Sequence, residues 1–98
     1  MKNELLFDWD DANIGKILLT YPKRGIELEE IESVFEDQNI YIQQDRIGKF
    51  GEFEYHCIGK SVKDRLLFIV FTLRNGKIRP FSARIANSKS ERPLYYES

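Results

Sequence analysis

The stretch Leu66-Leu67-Phe68-Ile69-Val70-Phe71-Thr72-Leu73-Arg74-Asn75-Gly76-Lys77-Ile78-Arg79-Pro80-Phe81-Ser82-Ala83-Arg84-Ile85 decides the fold. Leu66 to Phe71 is apolar at every position, so both faces need cover and the segment reads as a central strand. Asn75-Gly76 suits a type I′ turn, whose two central residues both take positive φ. Residues 66–71 and 78–85 therefore form a hairpin, with Arg74 and Lys77 beside its turn.

Upstream, Ile40-Tyr41-Ile42-Gln43-Gln44 alternates with period two, and a further strand runs from Glu52 to Gly59 after the turn Gly48-Lys49-Phe50-Gly51. Both are expected to be antiparallel. Between Glu27 and Glu36 the period lengthens. Leu28, Ile31, Val34 and Phe35 share one helical face, while Glu27, Glu29, Glu30 and Glu32 fill the other and suit a helix N-terminus. An earlier helix spans Ala12 to Leu19 on the spacing of Ile14, Ile17 and Leu18. An aspartate of Asp8-Trp9-Asp10-Asp11 can cap it, and Pro22 cannot continue it.

Leu5-Leu6-Phe7 reads as a short opening strand and Lys23-Arg24-Gly25 as a basic turn. Ser88, with Glu91 three residues on, fits a capping box for a short last helix if Pro93 falls in its first turn. The expected domain is α+β: strand, two helices, four antiparallel strands and a terminal helix, with the helices on one side of the sheet.

At 98 residues and 42% hydrophobic composition, residues 1–98 suit one domain with one core. The longest apolar run, Leu66 to Leu73, is far shorter than the roughly 18 residues of a membrane span, and the N-terminus has no signal-peptide pattern. A cytoplasmic location without membrane contact is expected. Cys57 is the single cysteine, which leaves no disulfide framework and no Cys/His grouping for zinc; inside Tyr55-His56-Cys57-Ile58 it reads as a small buried hydrophobe.

The net charge of −1 conceals a polarity. Residues 1–59 carry 13 acidic and 6 basic side chains, and residues 60–98 carry 3 and 9. A charge run is commonly just a solvated face. A basic sheet beside an acidic helical layer would also suit a nucleic acid on one side and a basic partner on the other.

On the last strand, strict alternation puts Arg79 with Phe81, Ala83 and Ile85, and Arg84 with Ile78, Pro80 and Ser82, unless Pro80 marks a bulge. A guanidinium presents a fixed fork of donors to phosphate oxygens and can stabilise a pentacovalent transition state. Pairing with the acidic helix is the plainer reading of either arginine. Glu52, Glu54 and His56 share a face of the preceding strand, where a carboxylate beside an imidazole can move protons. A solvated sheet edge explains the same row. Tyr55, Tyr95, Tyr96 and Trp9 can stack on unpaired bases, although Trp9 beside a capping aspartate more simply packs under the first helix. No Gly-rich phosphate loop, nucleophile elbow or metal-ligand spacing is present.

Several of these pieces occur together in an order that resembles the BrnT family. They are Phe7-Asp8-Trp9-Asp10, Lys23-Arg24-Gly25-Ile26 before an acidic helix ending Val34-Phe35-Glu36-Asp37, and Gly51-Glu52 through Ile58-Gly59. Phe71-Thr72-Leu73-Arg74, Arg79 to Arg84, and Glu91-Arg92 with Tyr95 complete the set. The resemblance implies a RelE-like toxin of a type II toxin-antitoxin pair, an endoribonuclease that blocks translation without metal or cofactor. It also implies a BrnA-type ribbon-helix-helix antitoxin as partner, in a heterotetramer, with DNA engaged only through the antitoxin. On that reading Arg79 and Arg84 bind phosphate and stabilise charge, Glu52 and His56 transfer protons, and Lys16, Arg24, Arg65 and Arg74 contact RNA.

The chain departs from the family pattern where Arg24 stands in place of a histidine and Glu54 in place of an arginine, and Thr20-Tyr21-Pro22 looks inserted. Pro80 and Pro93 fall where a regular strand or helix residue is usual. A catalytically silent relative that binds its antitoxin or RNA is the alternative these departures raise.

Overall fold

A computed structural model describes residues 5–97. Helix α1 (Asp11–Leu18) leads through a 3₁₀ turn (Pro22–Arg24) to helix α2 (Leu28–Val34). Strands β1 (Tyr41–Ile47), β2 (Phe53–Lys60), β3 (Leu66–Arg74) and β4 (Lys77–Ile85) follow, and helix α3 (Glu91–Glu97) closes the chain. The four strands form one antiparallel sheet in sequential order. Asn75 and Gly76 have φ of 53° and 75°, the geometry an Asn-Gly pair predicts for the β3–β4 turn.

Asp10 caps α1: its Oδ1 accepts the Ala12 and Asn13 N–H groups, and the Asn13 side chain returns a bond to the Asp10 N–H. That early cap shortens the expected opening strand. Among the described residues the N-terminal segment pairs with β4 only through Phe7 and Ile78, in parallel, before it must turn into the helix. Helix α2 is also shorter than its apolar period suggests, because Phe35, Glu36 and Asp37 close it with bonds to carbonyls three residues back.

The main core lies between α1, α2 and the sheet and includes Ile17, Ile31, Val34, Leu67, Ile69 and Phe71. Cys57 is fully buried within it. Gly59 permits the close approach of α2, since a Cβ there would sit 2.8 Å from Val34 Cγ1. The expected one-sided arrangement of helices fails at α3. This helix packs on the opposite face, where Ile58, Leu66, Ala86 and Tyr95 form a second small cluster. The physical reason is legible in β3: a strand apolar on both faces has to be covered twice. The capping expectation also shifts, because Asn87, not Ser88, accepts the Ser90 N–H while Glu91 accepts the Asn87 N–H. Pro93 falls in the first turn of α3, where its missing N–H costs nothing.

Candidate active site

Two β-bulges, one in each edge strand, assemble the site on the α3 side of the sheet. In β4, Ser82 pairs with Val70 and Pro80 with Phe71, which leaves Phe81 as the extra residue. The strand therefore bulges next to Pro80, and strict alternation, the basis for separating the arginines, does not hold. Arg79 opposes Thr72 and Arg84 opposes Phe68. Thr72 and Phe68 point to one face of β3, so both guanidinium groups rise from that same face.

Continuing across the sheet, Thr72 opposes Glu54, Val70 opposes His56 and Phe68 opposes Ile58. His56 thus sits between the rows that carry the two arginines. In β1, Gln44 pairs with Tyr55 and Arg46 with Glu54, so Asp45 is the second unpaired residue. Its carboxylate reaches over the sheet to His56, with Nδ1 2.7 Å from Oδ1 and 2.8 Å from Oδ2. The imidazole stacks on Phe68 at 4.9 Å and 21°, flanked by Tyr41 at 6.1 Å. The Arg84 guanidinium lies over the same Phe68 ring at 4.3 Å. Only 16% of the His56 side chain is exposed, and among the described residues its Nε2 has no hydrogen-bond partner.

Both arginines are held by internal carboxylates. Arg84 Nη1 and Nη2 donate to Glu91 Oε1 and Oε2 at 2.7 and 2.6 Å, a bidentate fork between β4 and α3. Burial opposes ionisation of Glu91, but Arg84 and the Asn87 N–H hold its carboxyl below the usual glutamate range. The hydrogen bond to Glu91 in turn raises the Arg84 pKa. Arg79 Nη2 donates to Asp10 Oδ1 at 3.1 Å. Its Nη1 lies 3.0 Å from Asp10 Oδ2 and 3.6 Å from Asp8 Oδ1, but is not aligned for a hydrogen bond to either. Arg79 is the first cause of the lowered Asp10 pKa.

The other predicted residues divide by place. Glu52 lies in the β1–β2 loop, where Oε2 accepts the Phe50 N–H at 3.1 Å. Glu54 is on the His56 face but pairs with Arg46 at 2.9 Å. The carboxylate beside the imidazole is therefore Asp45, which period-two reading passed over. Its signal was slight: an acidic residue in the polar run Gln43-Gln44-Asp45-Arg46, where alternation fades.

Lys16 and Arg24 line the outer edge of β4. Lys16 Nζ sits 5.1 Å over Phe81, and Arg24 Nη1 donates to the Ala83 carbonyl while stacking on Tyr21. Arg74 is exposed at the end of β3, 3.8 Å from Asp8. Arg65 lies apart from the others: it forms an ion pair with the buried Glu30 and donates to the Gly25 carbonyl at 3.1 Å. Trp9 stacks on Phe7 and donates to Glu32 of α2, so it is tied to the second helix and not, as its place beside the α1 cap had suggested, to the first. Tyr55 stacks on Phe71 in the helix-side layer, and Tyr95 donates to Asp37. Among the described residues no three His, Cys, Asp or Glu side chains converge to hold a metal ion, and no helix is long and apolar enough to cross a membrane.

Fold and site together define a class: a small α+β domain that sets an imidazole and two guanidinium groups on one sheet face, chemistry suited to a phosphodiester. The family description "Ribonuclease toxin, BrnT, of type II toxin-antitoxin system" matches residues 9–90. The chain belongs to this family of ribonuclease toxins. Family membership carries with it an RNA target and an antitoxin partner. A search of curated proteins returns no match.

Proposed function

We propose that the protein is a metal-independent endoribonuclease that cleaves RNA by internal transesterification, through the face shared by His56, Arg79 and Arg84. The observation that carries this reading is the Phe81 bulge, which brings both arginines onto the face of the only histidine. His56 Nε2 takes the proton of a ribose 2′-hydroxyl as the 2′-oxygen bonds to the adjacent phosphorus. The bond from phosphorus to the 5′-oxygen breaks, and the departing oxygen takes a proton from solvent. The products are a 2′,3′-cyclic phosphate and a 5′-hydroxyl. Arg84 and Arg79 bind the non-bridging oxygens and stabilise the charge that builds on them. Glu52, at the edge of the same region, is the second proton-transfer candidate. Lys16, Arg24 and Arg74 track the flanking backbone, and Arg65 serves the scaffold. We read the arrangement as RelE-like.

RNA cleavage would arrest translation in the cytoplasm until a BrnA-type ribbon-helix-helix antitoxin binds in a heterotetramer and brings DNA contacts of its own. A protein partner is supported by the hairpin end of the helix-side face, which no described residue covers. Leu5, Ile42 and Leu73 are exposed there around an apolar groove of about 310 Å³ that also includes Phe35, Ile40 and Tyr55.

One observation favours a second reading, a silent relative that only holds the antitoxin: both arginines already spend donors on Glu91 and Asp10. Incubating the purified protein with RNA in excess chelator separates the two. Fragments ending in a 2′,3′-cyclic phosphate are expected, together with growth arrest on expression that an adjacent ribbon-helix-helix gene relieves. Intact RNA and normal growth would leave only the silent reading.

A further inference from the structure

Asp45 has no role in the reading above, yet it makes the closest polar contact to the imidazole. It owes that position to the β1 bulge. A residue in register at this point would point to one face or the other; the unpaired residue instead turns its carboxylate over His56. We infer that Asp45 is the positioning residue of the site, holding His56 as the Nδ1–H tautomer so that Nε2 is the bare nitrogen facing substrate. The inference rests on the ribonuclease reading for its catalytic consequence, but its structural half stands on contacts alone.

Three contacts set the geometry. Asp45 accepts from Nδ1 with both oxygens. Phe68 fixes the ring plane from below and Tyr41 flanks it. A neutral imidazole carries one proton, and the nitrogen facing a carboxylate keeps it; the other nitrogen is then the base. When Nε2 takes a proton, the new imidazolium lies against the Asp45 charge, which stabilises the state that forms in the reaction. No other carboxylate on the face is so placed. Glu54 is committed to Arg46 and Glu91 to Arg84; Arg84, over the same Phe68 ring, acts on the imidazole in the opposite sense to Asp45, and Glu91, which interacts with the imidazole electrostatically, in the same sense.

Because the chain has one histidine, its ring can be read directly by nitrogen NMR in the intact protein. In the native chain the neutral ring is expected as the Nδ1–H tautomer. Asp45→Asn should shift the mixture toward Nε2–H. In parallel, Asp45→Asn should lower kcat on an RNA oligonucleotide more than about ten-fold with KM little changed. Combined with His56→Ala it should cost nothing further.

An unchanged tautomer in Asp45→Asn overturns the inference, as does native kcat. If the native protein leaves RNA intact while the NMR result holds, the ribonuclease reading fails and the catalytic half of the inference with it; the orientation of His56 by Asp45 remains. Asp45→Glu, which keeps an accepting carboxylate, should retain the Nδ1–H tautomer, and loss of that tautomer with the carboxylate still present overturns the inference.

Discussion

Arg79 and Arg84 are five residues apart on one strand and rise from the same face of the sheet, because Phe81 between them has no partner in the ladder. Each arginine also ties β4 to another element, Arg79 to the Asp10 cap of α1 and Arg84 to Glu91 of α3. The site and the joints of the fold therefore share side chains.

Arg84→Ala is expected to lower kcat for RNA cleavage by roughly 10²-fold or more, the usual cost of removing one donor to a developing oxyanion. It also strands Glu91, so thermal melting should fall. Arg84→Ala combined with Glu91→Gln should recover melting temperature without recovering activity. Recovery of both in the double variant would assign Arg84 to structure alone.

Asn13 is buried, and its Nδ2 donates to the Pro80 and Asp8 carbonyls at 2.9 Å each. It thus satisfies backbone at the bulge while closing the capping box of α1. Asn13→Ala removes both functions and should cost about 2–3 kcal/mol in urea unfolding, the sum of a lost cap and an unsatisfied buried carbonyl.

The buried Glu30 carboxylate is 1% exposed and is held by Arg65 and Ser61. The Arg65 hydrogen bond keeps its pKa below the ordinary 4.5 of a glutamate. A depressed carboxylate adds stability above its unfolded pKa and loses it as pH falls through the folded value. The native protein should therefore weaken below about pH 4.5. Arg65→Ala should unfold about 3 kcal/mol more readily at pH 7, because it leaves a buried charge alone. Guanidinium melts across pH 3–7 check both statements.

Tyr95 works at the other end of the scale. Burial, and then its bond to Asp37, push the phenol up from 10.0 to about 12. A raised pKa contributes stability below the unfolded value and loses it as pH rises toward the folded one. Unfolding should therefore become easier between about pH 10 and 12 in the native protein. That alkaline slope should flatten in Tyr95→Phe.

Gly59→Ala is expected to destabilise by about 1–3 kcal/mol, an overpacking cost, because the added methyl meets Val34 where α2 crosses β2. Combining it with Val34→Ala should return part of the loss in the same unfolding measurement.

Local chemistry made much of the molecule readable in one dimension. Asn75-Gly76 specifies its turn through backbone sterics, the Leu28-Ile31-Val34 period specifies α2, and the double-sided apolarity of Leu66 to Phe71 makes β3 a central strand. Each signal acts within a few residues, so the sequence by itself determined the element order, the hairpin registers near their turns and the candidate cations. Where a ladder skips a residue is different, because it depends on what lies across and above the strand. Asn13 must arrive from α1 to take the Pro80 carbonyl, and Tyr55 and Glu54 must be spaced to leave Asp45 unpaired. Those are long-range conditions, and a single skipped residue reverses which face every later side chain occupies. Only the tertiary structure, through its two bulges, decided that Arg79 joins Arg84, that Asp45 rather than Glu52 meets His56, and that α3 covers the face on which they gather.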